Sequence, residues 1–179
     1  MEVRIRFDAR EVDAALRSLG EAGTRAAMSQ AINETTKGLR TDGTRELAAK
    51  AQVKKQATVR ERFLIEKASR ATLSGALVIP ATYLPLSAVK GVRVTAKTVR
   101  WRGRVQRKMF RIRGKVGALS NDLFVRRSGA RSFGRAFAFT LLQEYEKNRV
   151  ADFLERAGRE RLAKAWRRAI AEQIRRRGL

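Results

Sequence analysis

Met28, Ala31, Ile32, Thr35 and Leu39 recur at steps of three and four within residues 24–62, a spacing that places them on one face of a helix. No other feature limits the fold as strongly. The stripe is narrow and made largely of small residues, so a second helix or a sheet can approach it closely. Arg25, Glu34, Lys37 and Arg40 fall mostly outside it. The pattern predicts a long helix over 24–50, with Gly43 after Asp42 as a point of weakness where it could kink or break. A second helical piece is expected from Val53 to Arg62.

A complementary stripe closes the chain. Val150, Phe153, Leu154, Ala157, Leu162, Ala165, Trp166, Ala169, Ile170 and Ile174 follow the helical period, predicting a terminal amphipathic helix over about 148–177. Asn148 is its expected cap. Arg175-Arg176-Arg177 place cations at the negative end of the helix dipole. Trp166 suits a core or interface anchor better than a base-stacking platform. The alternating apolar residues Val3, Ile5 and Phe7 predict an amino-terminal strand. A helix capped by Asp8 and Glu11 follows and stops at Gly20.

Between the stripes the period changes to two. Strands are expected at 63–65 and 73–79, and from Val92 to Trp101. Arg102-Gly103 should form a hairpin turn, with a return strand over 105–113. Two more strands follow at 123–125 and 137–139, flanking a loop from Ser128 to Gly134. Residues 83–86 read as an extended linker or edge segment. The expected class is therefore α+β in a single domain over 1–179: a mainly helical part at 1–62, a basic, mostly antiparallel sheet over about 63–141, and a terminal helix at 148–177 that packs back on the sheet.

The run Ala31-Ile32-Asn33-Glu34-Thr35, then Lys37, Arg45 and Leu47, then Val53-Lys54-Lys55 and Val59-Arg60-Glu61-Arg62, resembles the amino-terminal half of the minor tail protein Z family. These are tail-completion proteins of long-tailed bacteriophages. With the strand and helix before it, the resemblance covers the first third of the chain. Further on, Phe124-Val125-Arg126-Arg127 resembles the family's F-x-R strand, while its leucine–proline pair is missing near Leu141-Leu142. The resemblance implies a structural virion protein acting in tail completion or head–tail joining. It implies a ring-like homo-oligomer at the neck, in contact with neighbouring tail or connector proteins, and it carries no catalytic position.

Composition removes whole classes of chemistry. The chain has no cysteine and no histidine, so disulfides, thiolate or imidazole metal sites and histidine-based acid–base catalysis are impossible. The carboxylates offer no persuasive catalytic pair, since Glu144 and Glu146 lie two apart and Asp8 and Asp13 read as helix-start residues. Gly114-Lys115 and Gly129 to Gly134 lack the spacing of a phosphate-binding loop. No cofactor, metal or enzymatic activity is expected, a carboxylate-only nuclease being the remote exception. No apolar run is long enough to span a bilayer and no signal-peptide pattern is present. The chain is therefore expected to be made in a cytoplasm; the resemblance implies a bacterial host and residence in the virion.

The net charge of +24 is unevenly spread. Residues 90–135 hold 15 basic side chains against the single Asp122, net +14. Such a segment calls for an anionic partner, either DNA or an acidic subunit. Arg100, Arg102, Arg104, Arg107, Lys108, Arg111 and Arg113 are the expected contacts, with Trp101 and Phe110 available for stacking. If Arg100, Arg102 and Arg104 alternate along one strand, they share a face opposite Val99, Trp101 and Val105. If the Arg102-Gly103 turn is real, the charge concentrates at a projecting tip. Either way these arginines should lie outside the core, and neutralising Arg102, Arg104 and Arg107 should leave the fold intact. An alternative function is sequence-neutral nucleic-acid binding through this basic ribbon. The apolar stripe of Met28, Ala31, Ile32 and Leu39, with Phe153, Leu154, Trp166 and Ile170 from the terminal helix, is read as core or as subunit interface.

Overall fold

The computed structural model describes residues 9–95, 98–107, 109–111, 123–126 and 133–177; the expected strand at Val3–Phe7 and the Asp8 cap lie outside them. The order is α1 (Ala9–Lys50), α2 (Gln56–Arg60), β1 (Leu64–Glu66), β2 (Ala76–Val78), β3 (Tyr83–Pro85), a 3-10 turn (Leu86–Ala88), β4 (Arg93–Val94), β5 (Thr98–Trp101), β6 (Arg104–Arg107), β7 (Met109–Arg111), β8 (Leu123–Arg126), β9 (Phe133–Arg135), β10 (Phe137–Thr140), α3 (Leu141–Lys147) and α4 (Val150–Arg177). The class is α+β.

Helix α1 is two rods joined at Gly20, whose φ of 65° and ψ of 174° interrupt the helix as the sequence anticipated. Beyond it the helix runs unbroken through Gly43, the point of weakness named from the sequence. Gly43 serves close packing instead. A Cβ there would lie 3.2 Å from Phe63 Cε1 and 3.3 Å from Leu154 Cδ1, so the missing side chain admits two core residues against the backbone. The helix ends in a Schellman motif with Gln52 at a φ of 55°. Val53 N–H donates to Ala48 O at 2.9 Å and Gln52 N–H to Ala49 O at 3.2 Å, satisfying carbonyls that the helix leaves open. Val53 then bridges Val89 rather than beginning a helix, which shortens the expected second helix to α2.

Helix α4 packs along α1, not on a sheet as the sequence reading had it. The pairing is antiparallel: Asp42 meets Arg161, Glu34 meets Arg168, and Gln30 meets Glu172. Ala15, Ala27 and Ala31 face Leu162, Ala165, Trp166 and Ala169. The small residues on α1 let the helices close up, and Trp166 fills the seam. Full burial of its indole, 1% exposed, is worth roughly 4–6 kcal/mol for 150–250 Å² at ~25 cal/mol/Å². Gln30 donates to Glu172. That hydrogen bond, helped by Arg176, holds the Glu172 carboxyl below its ordinary range.

The strands do not form one sheet. Among the described residues four short antiparallel ladders replace it: β1–β2, β3–β10, β4–β5–β6 and β7–β8–β9. The expected strand from Val92 to Trp101 is a hairpin, because Thr95 and Thr98 exchange hydrogen bonds and Arg93-Val94 fold back on Val99-Arg100. The expected return strand over 105–113 divides between two ladders, β6 pairing with β5 and β7 with β8. The segment at 83–86 includes a paired strand, since β3 joins β10. Phe133 and Gly134, expected at the end of the Ser128–Gly134 loop, belong to β9.

The main core joins both halves of the chain. Leu39, Leu47, Val59 and Phe63 pack with Leu77, Ile79, Leu84, Phe139, Leu141, Tyr145 and Leu154. A smaller cluster of Leu86, Val99, Leu123 and Ala136 secures the strand-rich module. Helix α3 was absent from the sequence reading. A capping box starts it: Thr140 Oγ1 accepts from Gln143 N–H and Gln143 Oε1 accepts from Thr140 N–H, each at 3.2 Å. Asn148 closes α3, donating to Glu144 O at 2.7 Å, rather than capping α4.

Candidate functional site

The basic segment resolves into one residue tied to the core and a pair left open. Arg102 and Gly103 have φ of 47° and 75°, positive at both central positions as a type I′ hairpin turn requires. The Arg102-Gly103 turn is therefore present. Arginine in this conformation is disfavoured by roughly 1–2 kcal/mol, and its side chain supplies the compensation. The guanidinium is held against the fold at one end while the side chain stays partly exposed. Its Nη1 donates to Glu144 Oε1 at 2.7 Å, and Glu144 is buried in α3. The same group lies 4.9 Å from the Trp101 ring centroid and 5.1 Å from that of Phe139. The two rings stack at 5.8 Å. Glu144 Oε2 accepts from Asn148 Nδ2 at 3.1 Å.

Arg102 therefore latches the β5–β6 hairpin to α3. Its expected role as a free anion contact is corrected, because the guanidinium is paired with Glu144. Trp101 and Phe139 hold that latch, so Trp101 is no open stacking platform. Glu144, dismissed as one of two unremarkable acids, is the partner.

Among the side chains of the group that the structure describes, Arg100 stands open. It is exposed on β5 and sits directly opposite Arg93 on β4, also exposed. Among the described residues neither has a hydrogen-bond or ion-pair partner. Like charges facing across a ladder repel, so the pair favours any anion that can bridge it. Val105, exposed, is Arg100's neighbour on the other side. Sequence reasoning missed Arg93 because it assumed one strand. Two residues seven apart in a single strand point to opposite faces; the reversal between Val94 and Thr98 puts them side by side.

The remaining expected contacts are fixed only by backbone register. Arg104 stands opposite Trp101, Arg107 opposite Thr98, and Arg111 opposite Leu123. Arg104 and Arg100 thus do not alternate along one strand, because the turn separates them. Lys108 and Arg113 lie outside the described residues, as does Ile112; Phe110 is placed by register opposite Phe124.

The two apolar stripes are used within the subunit. Ala31, Leu39, Leu154 and Trp166 are buried. Met28 and Ile170 pack on the α1–α4 seam and Phe153 on the main core. Half-buried Ile32 lies over Gly75, where a Cβ would come within 2.7 Å of Ile32 Cγ2. Apolar surface is exposed elsewhere: Tyr83, 58% exposed, and Phe137, 51% exposed, pair across β3 and β10 with centroids 5.7 Å apart.

Among the described residues no three carboxylates cluster closely enough to hold a metal ion, and no helix is long and apolar enough to cross a membrane. No protein-family model, curated protein or solved structure matches this chain.

Proposed function

We propose that this chain is a structural virion protein of a tailed bacteriophage, acting without catalysis in tail completion or head–tail joining. The observation that carries the reading is the resemblance of residues 31–62 to the minor tail protein Z family. In the fold those residues span the second half of α1 and all of α2, the scaffold on which both other parts of the chain pack. The protein works as a ring-forming homo-oligomer in the neck or tail, made in the host cytoplasm, and contacts adjacent tail or connector proteins. Because the helical stripes are occupied internally, the ring contacts fall to exposed surface such as the Tyr83–Phe137 pair.

A second reading, sequence-neutral nucleic-acid binding, draws support from the unpaired Arg93–Arg100 neighbours. Both readings give this pair an anionic partner: packaged DNA or an acidic subunit in the first, any duplex in the second. The test joins mass spectrometry of purified virions to the Arg93→Gln/Arg100→Gln variant. The variant should melt at or slightly above the wild-type temperature, since relieving a facing like-charge pair gains about 0.2–1 kcal/mol. On the first reading the protein is present at a fixed copy number and the variant fails to complement particle assembly. On the second, the protein is absent from particles, and the variant lowers the salt slope of duplex binding by about 2. Absence from virions together with unchanged DNA binding would refute both.

A further inference from the structure

Between α1 and α4 lies a cavity of about 80 Å³ lined by Glu34, Thr35, Arg161, Lys164, Ala165 and Arg168. It exceeds the ~10–15 Å³ that the centre of one water requires. Thr35, 2% exposed, packs in its wall with its hydroxyl sealed from solvent. Three cations converge on the opening. They stand at i, i+3 and i+7 on α4, which brings them to one face of the helix. Arg161 is matched by Asp42 at 2.7 Å and Arg168 by Glu34, but a guanidinium has five N–H donors and each of these keeps several. Lys164 is the surplus charge: among the described residues it has no partner. Gly38 makes room for the arrangement, since a Cβ there would fall 2.8 Å from Arg161 Nη1.

We infer that this cavity binds a phosphate group. One oxygen would take the Lys164 ammonium. The others would take the remaining guanidinium donors of Arg161 and Arg168. A tetrahedral oxyanion presents oxygens in several directions, as these divergent donors require, and charge-assisted bonds favour it over water. The site does not rest on the tail-completion reading. It is separate from the Arg93–Arg100 pair, which belongs to the strand-rich module. The phosphate is either free or part of a nucleic-acid backbone.

The full-length protein is titrated with inorganic phosphate at constant ionic strength, with chloride as the control, by calorimetry and 31P line broadening. Wild type and Arg93→Gln/Arg100→Gln should bind one phosphate saturably. Lys164→Gln should bind roughly tenfold more weakly, with a melting temperature no lower than that of wild type in the absence of phosphate. Displacement of bound phosphate by a short duplex assigns the site to a nucleic-acid backbone; retention in the presence of duplex assigns it to free phosphate. No saturable binding with a Kd below ~10 mM, or equal affinity in wild type and Lys164→Gln, overturns the inference.

Discussion

Replacing Arg102 by alanine removes the guanidinium that joins the β5–β6 turn to α3. Both residues carry a Cβ, so the penalty for a positive φ at the turn cancels and the measured change belongs to the side chain. The Glu144 side chain is 7% exposed and that of Arg102 33% exposed. A charge-assisted hydrogen bond contributes about 1.5–3 kcal/mol, and the partial exposure of Arg102 moves this toward the lower figure. Contact with the Trp101 and Phe139 rings adds about 0.5–1 kcal/mol. The expected loss is therefore about 2–3 kcal/mol. In a domain of this size each kcal/mol lowers the melting temperature by about 2–4 °C, giving a fall of roughly 5–10 °C. Much of the loss is the exposure of Glu144 as a buried carboxylate left with Asn148 as its side-chain partner. Glu144→Ala and the double variant complete a thermodynamic cycle, read by calorimetry or urea unfolding. The coupling should reach at least 1 kcal/mol, within the range for residues in direct contact. A melting temperature within about 2 °C of wild type and a coupling below ~0.5 kcal/mol would refute the latch and restore Arg102 to the solvated surface.

Gly43→Ala tests packing against propensity. Alanine gains about 1 kcal/mol of helix propensity, but its Cβ would press on Phe63 and Leu154 at 3.2–3.3 Å; overpacking of ~1–3 kcal/mol should prevail, giving a net loss of about 1 kcal/mol in urea unfolding, whereas a stabilised variant would refute the close-packing role. Tyr145 tests burial in α3. Desolvation, with smaller contributions from Glu155 and Asp152, pushes its phenol up to about 12 from an ordinary 10.0. The folded state thus favours the neutral phenol; this contribution is fully present below pH 10 and is lost as pH rises toward 12. In Tyr83→Phe protein, where Tyr145 is the sole tyrosine, phenolate absorbance should appear only near pH 12 or together with alkaline unfolding. Ionisation near pH 10 in folded protein would count against the buried placement.

The two long helices were legible in the chain because their information is local. A 3.6-residue period over 24–50 and 150–174 and a glycine at position 20 needed no knowledge of distant residues, and the Arg102-Gly103 turn was readable in the same way. The capping box at Thr140 and Gln143 was equally local, and attention to that S/T-x-x-Q spacing would have found α3. What α4 packs against was not legible: an apolar stripe specifies burial but does not name the surface that covers it. Nor could periodicity divide the strands among four ladders, because a run such as 92–101 shows the same alternation whether it continues or doubles back. That choice set the chemistry of the basic segment. It placed Arg93 beside Arg100 and turned Arg102 inward to Glu144, 42 positions away. Composition fixed how much positive charge the chain must accommodate. The tertiary structure decided which cations are neutralised within the fold, because an ion pair depends on distance in space and sequence carries only distance along the chain.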